Sequence, residues 1–442
     1  MPPLIAIVGR PNVGKSTLFN RLAGKGLAIV HDAPGVTRDR HYADTHLFGR
    51  DLVLVDTGGF DPDSDDPMQQ GIARQVELAI READVVLCVL DATLAPTAAD
   101  RETVGLLRRS EKPVVYVANK ADNPRAELES NELYALGVER VVPISALHGR
   151  GLAELEAALA KVVPPEEAIE PPSDDAPPRV ALVGRPNAGK SSLFNWLAGS
   201  ARSLVDHRPG TTRDAIDQRV EHGGHAFTIV DTAGIRRKSR VDRGVEAESV
   251  MRSIKAVGRA DVVILMCDAA EGVAEQDARL LTLCAERGRA IVVGLNKVDL
   301  LRTRKERDAA EERARDELRF ARWAPIVRTS AKTGEGIDDL MQTAWRAAEE
   351  YRRRVPTGEL NRFFEQVLST HPPPTHGGRA PRIYYVTQAE TSPPVFVAMS
   401  NAPESIKDSY KRFVVGQLRK AFGFESVPVM VRYRRKSRRE PG

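Results

Sequence analysis

The stretch GRPNVGKSTLFNRLAG at Gly9–Gly24 returns as GRPNAGKSSLFNWLAG at Gly184–Gly199, and this repetition constrains the fold more than any other feature of the sequence. The same shift of 175 residues (Gly9 to Gly184) carries Pro34–Asp39 onto Pro209–Asp214 and Asp56–Gly59 onto Asp231–Gly234. A unit this long used only twice is a duplicated domain, because solenoid repeats are shorter and need several copies to close a core. A chain of 442 residues has room for two such domains and more.

Within each half, short β-branched runs alternate with helical stretches. The runs are Leu4–Val8, Leu52–Val55, Val85–Leu90, Val114–Ala118 and Val141–Ile144 in the first half, and Val180–Val183, Phe227–Val230, Val262–Cys267, Ala290–Leu295 and Ile326–Arg328 in the second. Strands separated by helices predict an α/β fold with a mainly parallel sheet covered on both faces, and ligands at the carboxyl ends of the strands. Pro164–Pro178 is rich in Pro, Glu and Asp and reads as an extended linker. After Tyr351 the pattern changes to a helix near Glu359–Leu368, strands near Ile383–Val386 and Val395–Met399, a helix near Ile406–Phe422 and a strand near Val427–Val431, a small α+β domain. The expected domains are therefore residues 1–163, a linker at 164–178, residues 179–351, and residues 352–442 ending in a basic tail.

Composition narrows the class. Hydrophobic content of 42% and charged content of 29% are those of a folded globular protein. Met1-Pro2-Pro3 leads directly into an apolar strand with no basic segment or cleavage site, and no apolar run approaches the roughly 18 residues of a membrane span. The expectation is a cytoplasmic protein with no membrane contact, monomeric because the duplication is internal. Cys88 and Cys267 lie in apolar strand-like runs and no C-x-x-C pair occurs, which points to buried reduced thiols. The net charge of +4 names no partner, but its distribution is uneven.

Gly9-Arg10-Pro11-Asn12-Val13-Gly14-Lys15-Ser16 fits G-x-x-x-x-G-K-[ST] between a strand and a helix. Glycines let backbone N–H groups face phosphates, the helix N-terminus adds positive potential, Lys15 reaches the β- and γ-phosphates, and Ser16 can ligate Mg²⁺. Gly184-Arg185-Pro186-Asn187-Ala188-Gly189-Lys190-Ser191 repeats every element, and Thr17 and Ser192 follow as further nucleotide contacts. Asp56 and Asp231 end strands and can hold the Mg²⁺ shell, while Gly59 and Gly234 can offer an N–H to the γ-phosphate. Asn119-Lys120-Ala121-Asp122 and Asn296-Lys297-Val298-Asp299 choose the base: a carboxylate accepts two hydrogen bonds from guanine's ring N–H and amine, and adenine offers no such pair. Asp122 and Asp299 thus select GTP over ATP. Ser145-Ala146 and Ser330-Ala331 follow the last strands and would support the base through backbone contacts.

With these motifs in order, the chain resembles the EngA or Der family of bacterial tandem GTPases over nearly its whole length. The resemblance implies two Era-like GTPase domains, a KH-like third domain, GTP and GDP as ligands, Mg²⁺ as cofactor, and assistance in assembling the large ribosomal subunit with its rRNA as partner. It also assigns Thr37 and Thr212 as switch threonines closing over Mg²⁺ and the γ-phosphate. Phe60 and Ile235 stand where Ras-like proteins carry a water-orienting glutamine, so hydrolysis needs another device. Related GTPases with an Asn in the phosphate loop use K⁺, and Asn12 and Asn187 match that position; an Asn that only shapes the loop is the alternative.

A KH module clamps nucleic acid with a G-x-x-G loop, and none occurs after Tyr351. Arg432-Tyr433-Arg434-Arg435-Lys436-Ser437-Arg438-Arg439 instead sets cations around an aromatic, as rRNA phosphate contact with some stacking requires. Arg236–Arg240 follows the second Asp-Thr-Ala-Gly and would move with the γ-phosphate, whereas Arg302–Arg319 mixes both signs as a solvated helix face. Two other readings stand beside the ribosomal switch: a GTPase partner of a tRNA-modification or other RNA-processing enzyme, and a non-hydrolysing scaffold with one dead half. The first would need a further catalytic site that the last domain does not display, and intact lysines and acids in both halves oppose the second.

Overall fold

Two six-stranded sheets with the same strand order account for the repeat. The computed structural model describes residues 2–25, 42–57, 77, 79–164, 176–200, 217–232, 245–374 and 381–435. These fall into two compact units, one carrying the first sheet and the other carrying the second sheet together with a smaller third one.

In the first half the elements are β1 (Leu4–Val8), α1 (Lys15–Lys25), β2 (Tyr42–Leu47), β3 (Arg50–Asp56), β4 (Val85–Asp91), α2 (Ala98–Arg108), β5 (Val114–Asn119), α3 (Pro124–Glu129), β6 (Val141–Pro143) and α4 (Leu152–Val162). The sheet runs β2-β3-β1-β4-β5-β6, with only β2 antiparallel to its neighbour. Every residue of β1 and β4 is buried, as a parallel strand covered on both faces requires. Helix and sheet meet through Leu18, Phe19, Leu22, Leu87, Val117, Leu155 and Leu159.

The second half repeats this with β7 (Arg179–Val183), α5 (Lys190–Ser200), β8 (Gln218–His222), β9 (His225–Ile229), α6 (Val245–Arg259), β10 (Val262–Asp268), α7 (Glu275–Glu286), β11 (Ala290–Asn296), α8 (Arg304–Glu317), β12 (Ile326–Arg328) and α9 (Ile337–Arg352). Its order, β12-β11-β10-β7-β9-β8, is the first sheet's read from the other edge. In both, the order reverses around the first strand of the half, which opens a crevice at that strand's carboxyl end. The antiparallel strands β2 and β8 escape a search for apolar runs: YADTHL and QRVEH alternate, each with one face toward water.

The third sheet, β13-β14-β15, is formed by β13 (Ile383–Glu390), β14 (Val395–Ser400) and β15 (Met430–Arg435), packed on α10 (Thr357–Thr370) and α11 (Asp408–Phe422). β13 pairs antiparallel and β15 parallel with β14. Leu360, Phe364, Val386, Phe396, Val414, Leu418 and Phe424 form its core.

The last strand begins three residues later than the apolar run Val427–Val431 suggests, and the reason is tertiary. Val427 is buried in the second sheet's core, and the Ser426 carbonyl accepts from the Ile291 N–H at the start of β11, 2.7 Å. Glu350 on α9 accepts from the Glu425 and Ser426 N–H groups at 2.8 and 2.7 Å, and the Arg419 guanidinium lies 4.4 Å from the centre of the Trp323 ring. Residues 425–427 thus join the third domain to the second sheet.

Cys88, Cys267 and Cys284 are buried free thiols, pushed up by burial, Cys284 to about 12. That agrees with the structural role expected of Cys88 and Cys267. Among the described residues no helix is long and apolar enough to cross a membrane.

Candidate functional site

At the end of β1 the chain must turn sharply into α1, and two glycines permit it. Gly9 has φ 148°, and a Cβ there would lie 2.4 Å from the Val89 carbonyl; Gly14 has φ 93°, and a Cβ there would meet the Asn119 amide at 2.3 Å. Gly184 and Gly189 repeat both constraints, against Met266 and Asn296. Asn12 and Asn187 each take the left-handed conformation at φ 64°, which Asn tolerates better than most residues, and both side chains are exposed. Pro11 and Pro186 stand beside them, while Val13 and Ala188 are buried beneath the loop.

Lys15, 9% exposed, donates to the Gly9 and Arg10 carbonyls at 2.9 Å each, and burial lowers its pKa. Asp56 nearby opposes that shift. Lys190 makes the same pair of bonds to Gly184 and Arg185. Each ammonium is held across the loop into which a phosphate would settle.

Ser16 Oγ donates to Asp56 Oδ2 at 2.7 Å, and Asp56 is 1% exposed at the end of β3. A hydroxyl and a carboxylate side by side at a helix N-terminus form a hard-oxygen donor set of the kind Mg²⁺ takes. Ser191 opens the second helix at the same place as Ser16, Ser192 follows it as Thr17 follows Ser16, and Asp231 lies just past β9. Thr37, Gly59, Phe60, Thr212, Gly234, Ile235 and Arg236–Arg240 lie outside the described residues, as do Lys436–Arg439.

The two Asn-Lys-x-Asp motifs lie at the ends of β5 and β11. Asp122 is exposed, and one of its oxygens accepts from Ser145 Oγ at 2.6 Å; Asp299 does the same with Ser330 at 2.7 Å. Asn119 and Asn296 tie loops together in this arrangement. Asn119 donates to the Val13 carbonyl and accepts from the Ala146 N–H, at 2.8 and 2.9 Å, so one side chain ties the phosphate loop to the loop after β6. Asn296 makes the equivalent bonds to Ala188 and Ala331. Lys120 and Lys297 adopt left-handed backbones and place their ammonium groups against Asp91 (2.6 Å) and Asp268 (2.5 Å).

Four acids escaped the sequence reading. Burial alone would raise Asp91 and Asp268, but hydrogen bonds from Lys120 and Thr93, and from Lys297, Ala270 and Glu271, outweigh it and hold both carboxyls below their ordinary value. Asp100 and Asp277 receive the second residue of each phosphate loop. The Arg10 guanidinium sits 3.4 Å from Asp100 and 3.6 Å from Asp91, whereas Arg185 donates to Asp277 at 2.9 Å and to the Gly272 carbonyl at 2.8 Å. Asp277 is fully buried, and burial raises its pKa. The available signal was an aspartate directly after each of the strand runs Val85–Leu90 and Val262–Cys267.

In the third domain Tyr433 turns inward against the core, and its hydroxyl is buried without a hydrogen-bond partner. The stacking expected of it is therefore unsupported; Tyr384 and Tyr385, at 50% and 44%, are exposed aromatics of the same domain. Arg432 and Arg435 pair with Glu390 and Glu404.

A family model described as a 50S ribosome-binding GTPase matches residues 4–120 and again 179–297. A second, described as the C-terminal KH-domain-like region of EngA bacterial GTPase enzymes, matches residues 354–434. The GTPase Der of Symbiobacterium thermophilum is 46% identical over 446 residues, covering 100% of this chain and 94% of its own. The GTPase Der of Moorella thermoacetica is 44% identical over 434 residues, covering 98% of each.

Proposed function

The chain belongs to the Der family of GTPases, with two GTPase domains and a KH-like third domain, and we propose that it is a two-site switch acting in assembly of the large ribosomal subunit. Its reaction is hydrolysis of GTP to GDP and phosphate. The observation that carries the ribosomal reading is the union of the second nucleotide site with the third domain. β11 starts at residues bonded to Ser426 and ends at Asn296, which holds the phosphate loop and the base loop together.

In this reading Lys15 and Lys190 balance charge on the β- and γ-phosphates, with backbone N–H groups of residues 9–17 and 184–192 cradling them. Ser16, Asp56 and Thr37 would hold Mg²⁺ in the first site, and Ser191, Asp231 and Thr212 in the second. Bound there, Mg²⁺ would supply positive charge to offset that of the phosphates. Gly59 and Gly234 donate their N–H to the γ-phosphate, which water attacks in line with the leaving β-phosphate oxygen. Asp122 and Asp299 accept from guanine, supported by Ser145, Ala146, Ser330 and Ala331; Lys120 and Lys297 complete the wall. Asn12 and Asn187 would offer amide oxygens to a K⁺ ion supplying positive charge at the phosphates, in place of the glutamine that Phe60 and Ile235 cannot supply. The basic end of the third domain meets rRNA phosphates in the absence of a G-x-x-G clamp.

The test is co-sedimentation with isolated large subunits, with GTP analogue, GDP or no nucleotide, beside turnover in K⁺ and in Na⁺. Nucleotide-dependent association and K⁺-stimulated turnover are expected. Association indifferent to nucleotide removes the switch on the ribosome; equal rates in the two salts remove the K⁺ role.

A further inference from the structure

One position in the repeated helix differs in kind between the halves. Arg21 on α1 corresponds to Trp196 on α5. Arg21 Nε donates to the Ala146 carbonyl at 3.0 Å, and its Nη2 donates to the Leu147 carbonyl. It also lies beside Gly149, where an added Cβ would come within 3.8 Å of the guanidinium. Trp196 packs instead on Gly334, which holds the same place in the second base loop, and a Cβ there would meet the indole nitrogen at 3.0 Å. Trp196 further leans on the His222 ring with centroids 5.5 Å apart, and joins the second core from its edge.

We propose that Arg21 is a positioning residue of the first guanine site, holding the Ser145–Leu147 loop against the phosphate-loop helix by a charged fork, and that Trp196 does this in the second site by packing. The inference rests on the reading of Asp122, Ser145 and Ala146 as a guanine site. Thr17, Arg21, Ala146 and Leu147 line one open depression, so the fork stands next to residues assigned to nucleotide without being one of them. Ala146 is buried in the first core with its N–H on Asn119, whereas Leu147 is 65% exposed, so the fork adds its hold where the loop leaves the core. A guanidinium donating to two successive carbonyls sets the orientation of that peptide plane. A lysine could satisfy only one of them well.

The experiment is release of fluorescent GDP from the full chain, with Asp299→Ala removing guanine recognition at the second site so that only the first reports. Arg21→Ala is expected to speed release about tenfold, the weight of hydrogen bonds from a charged donor, with association unchanged. Arg21→Lys should restore part of the retention. The unfolding midpoint should stay in place, since Arg21 is exposed on a helix where alanine is favourable. In the converse background, Asp122→Ala, the second site's release should be indifferent to Arg21→Ala. Release unchanged in Arg21→Ala overturns the proposal, as does a change that only follows a lowered unfolding midpoint. If Asp122→Ala itself leaves first-site binding intact, the guanine-site reading has failed, an outcome distinct from failure of the fork.

Discussion

The two halves share strand order, phosphate loop, lysine bridge and asparagine tie, yet they differ in what their sites are attached to. In the second half the strand bearing Asn296 begins at a hydrogen bond to Ser426, and Glu350 near the end of α9 and Arg353 just past it bond to residues 422–426 of the third domain. In the first half the corresponding helix α4 runs into Val163, whose carbonyl receives Arg50 from the same sheet. The side-chain supports differ in the same sense. Arg185 is bound closely to a fully buried Asp277, and Trp196 packs on a glycine; Arg10 stands farther from its acids, and Arg21 bonds at an exposed surface. Duplication kept the chemistry and altered its mechanical setting. The second site shares its body with the third domain, while the side-chain supports particular to the first are polar and lie nearer water.

Removing the bridging lysine from each half in turn breaks the comparison most sharply. Lys15→Ala and Lys190→Ala should each lower turnover at their own site roughly 100-fold or more, as loss of a preorganised charge at a phosphoryl group does, and the double variant should abolish it. Phosphate release from the full chain measures this, and the activity left in each single variant reports the share of the other half. A single variant that eliminated all turnover would mean that only one site hydrolyses.

Next in size is the arginine clamp. Asp277→Ala leaves the Arg185 guanidinium beside a vacated buried position and removes a helix-capping carboxylate, and should destabilise its half by about 3 kcal/mol. Asp100→Ala, acting on a longer contact with Asp91 still near, should cost about 1 kcal/mol. Denaturant unfolding followed by hydrogen exchange in each half would separate them, and equal losses would show the clamps to be equivalent. Glu350→Ala tests a junction with no counterpart among the described residues of the first half. It strips an acceptor from two N–H groups, one of them buried, and should cost about 2 kcal/mol while raising exchange at Ile291 and Ser426.

How much of this could be read from the residues depends on whether a feature is local. The phosphate loops were legible because glycine, lysine and serine at fixed spacing encode a backbone shape and a charge together. The parallel strands were legible because burial on both faces leaves continuous apolar runs. Edge strands β2 and β8 were not, since one of their faces meets water. Val427 belongs to a core assembled by another domain, Tyr433 faces inward although arginines flank it, and Asn119 ties two loops that are distant in sequence. Each of those depends on a partner that no local pattern names.

The smallest effect concerns the acids paired with Lys120 and Lys297. Asp91 accepts from the Thr93 hydroxyl and N–H and from Lys120, while Asp268 accepts from the Ala270 and Glu271 N–H groups, with Lys297 against its other oxygen. Despite burial both carboxyls lie below their ordinary value. An acid whose pKa is depressed by folding contributes stability that is present above its unfolded value and is lost as pH falls through its folded value, so both halves should weaken on the acid side of the aspartate range. Ala270 stands where Thr93 does, so a side-chain hydroxyl supports the acid in the first half alone. Thr93→Ala should therefore cost the first half about 0.5 kcal/mol near neutrality and move its acid transition slightly upward, leaving the second half's in place. Acid titration read by hydrogen exchange within each sheet measures this. A shift shared by both halves would mean that their acid transitions are coupled and that the two sites do not rest on independent supports.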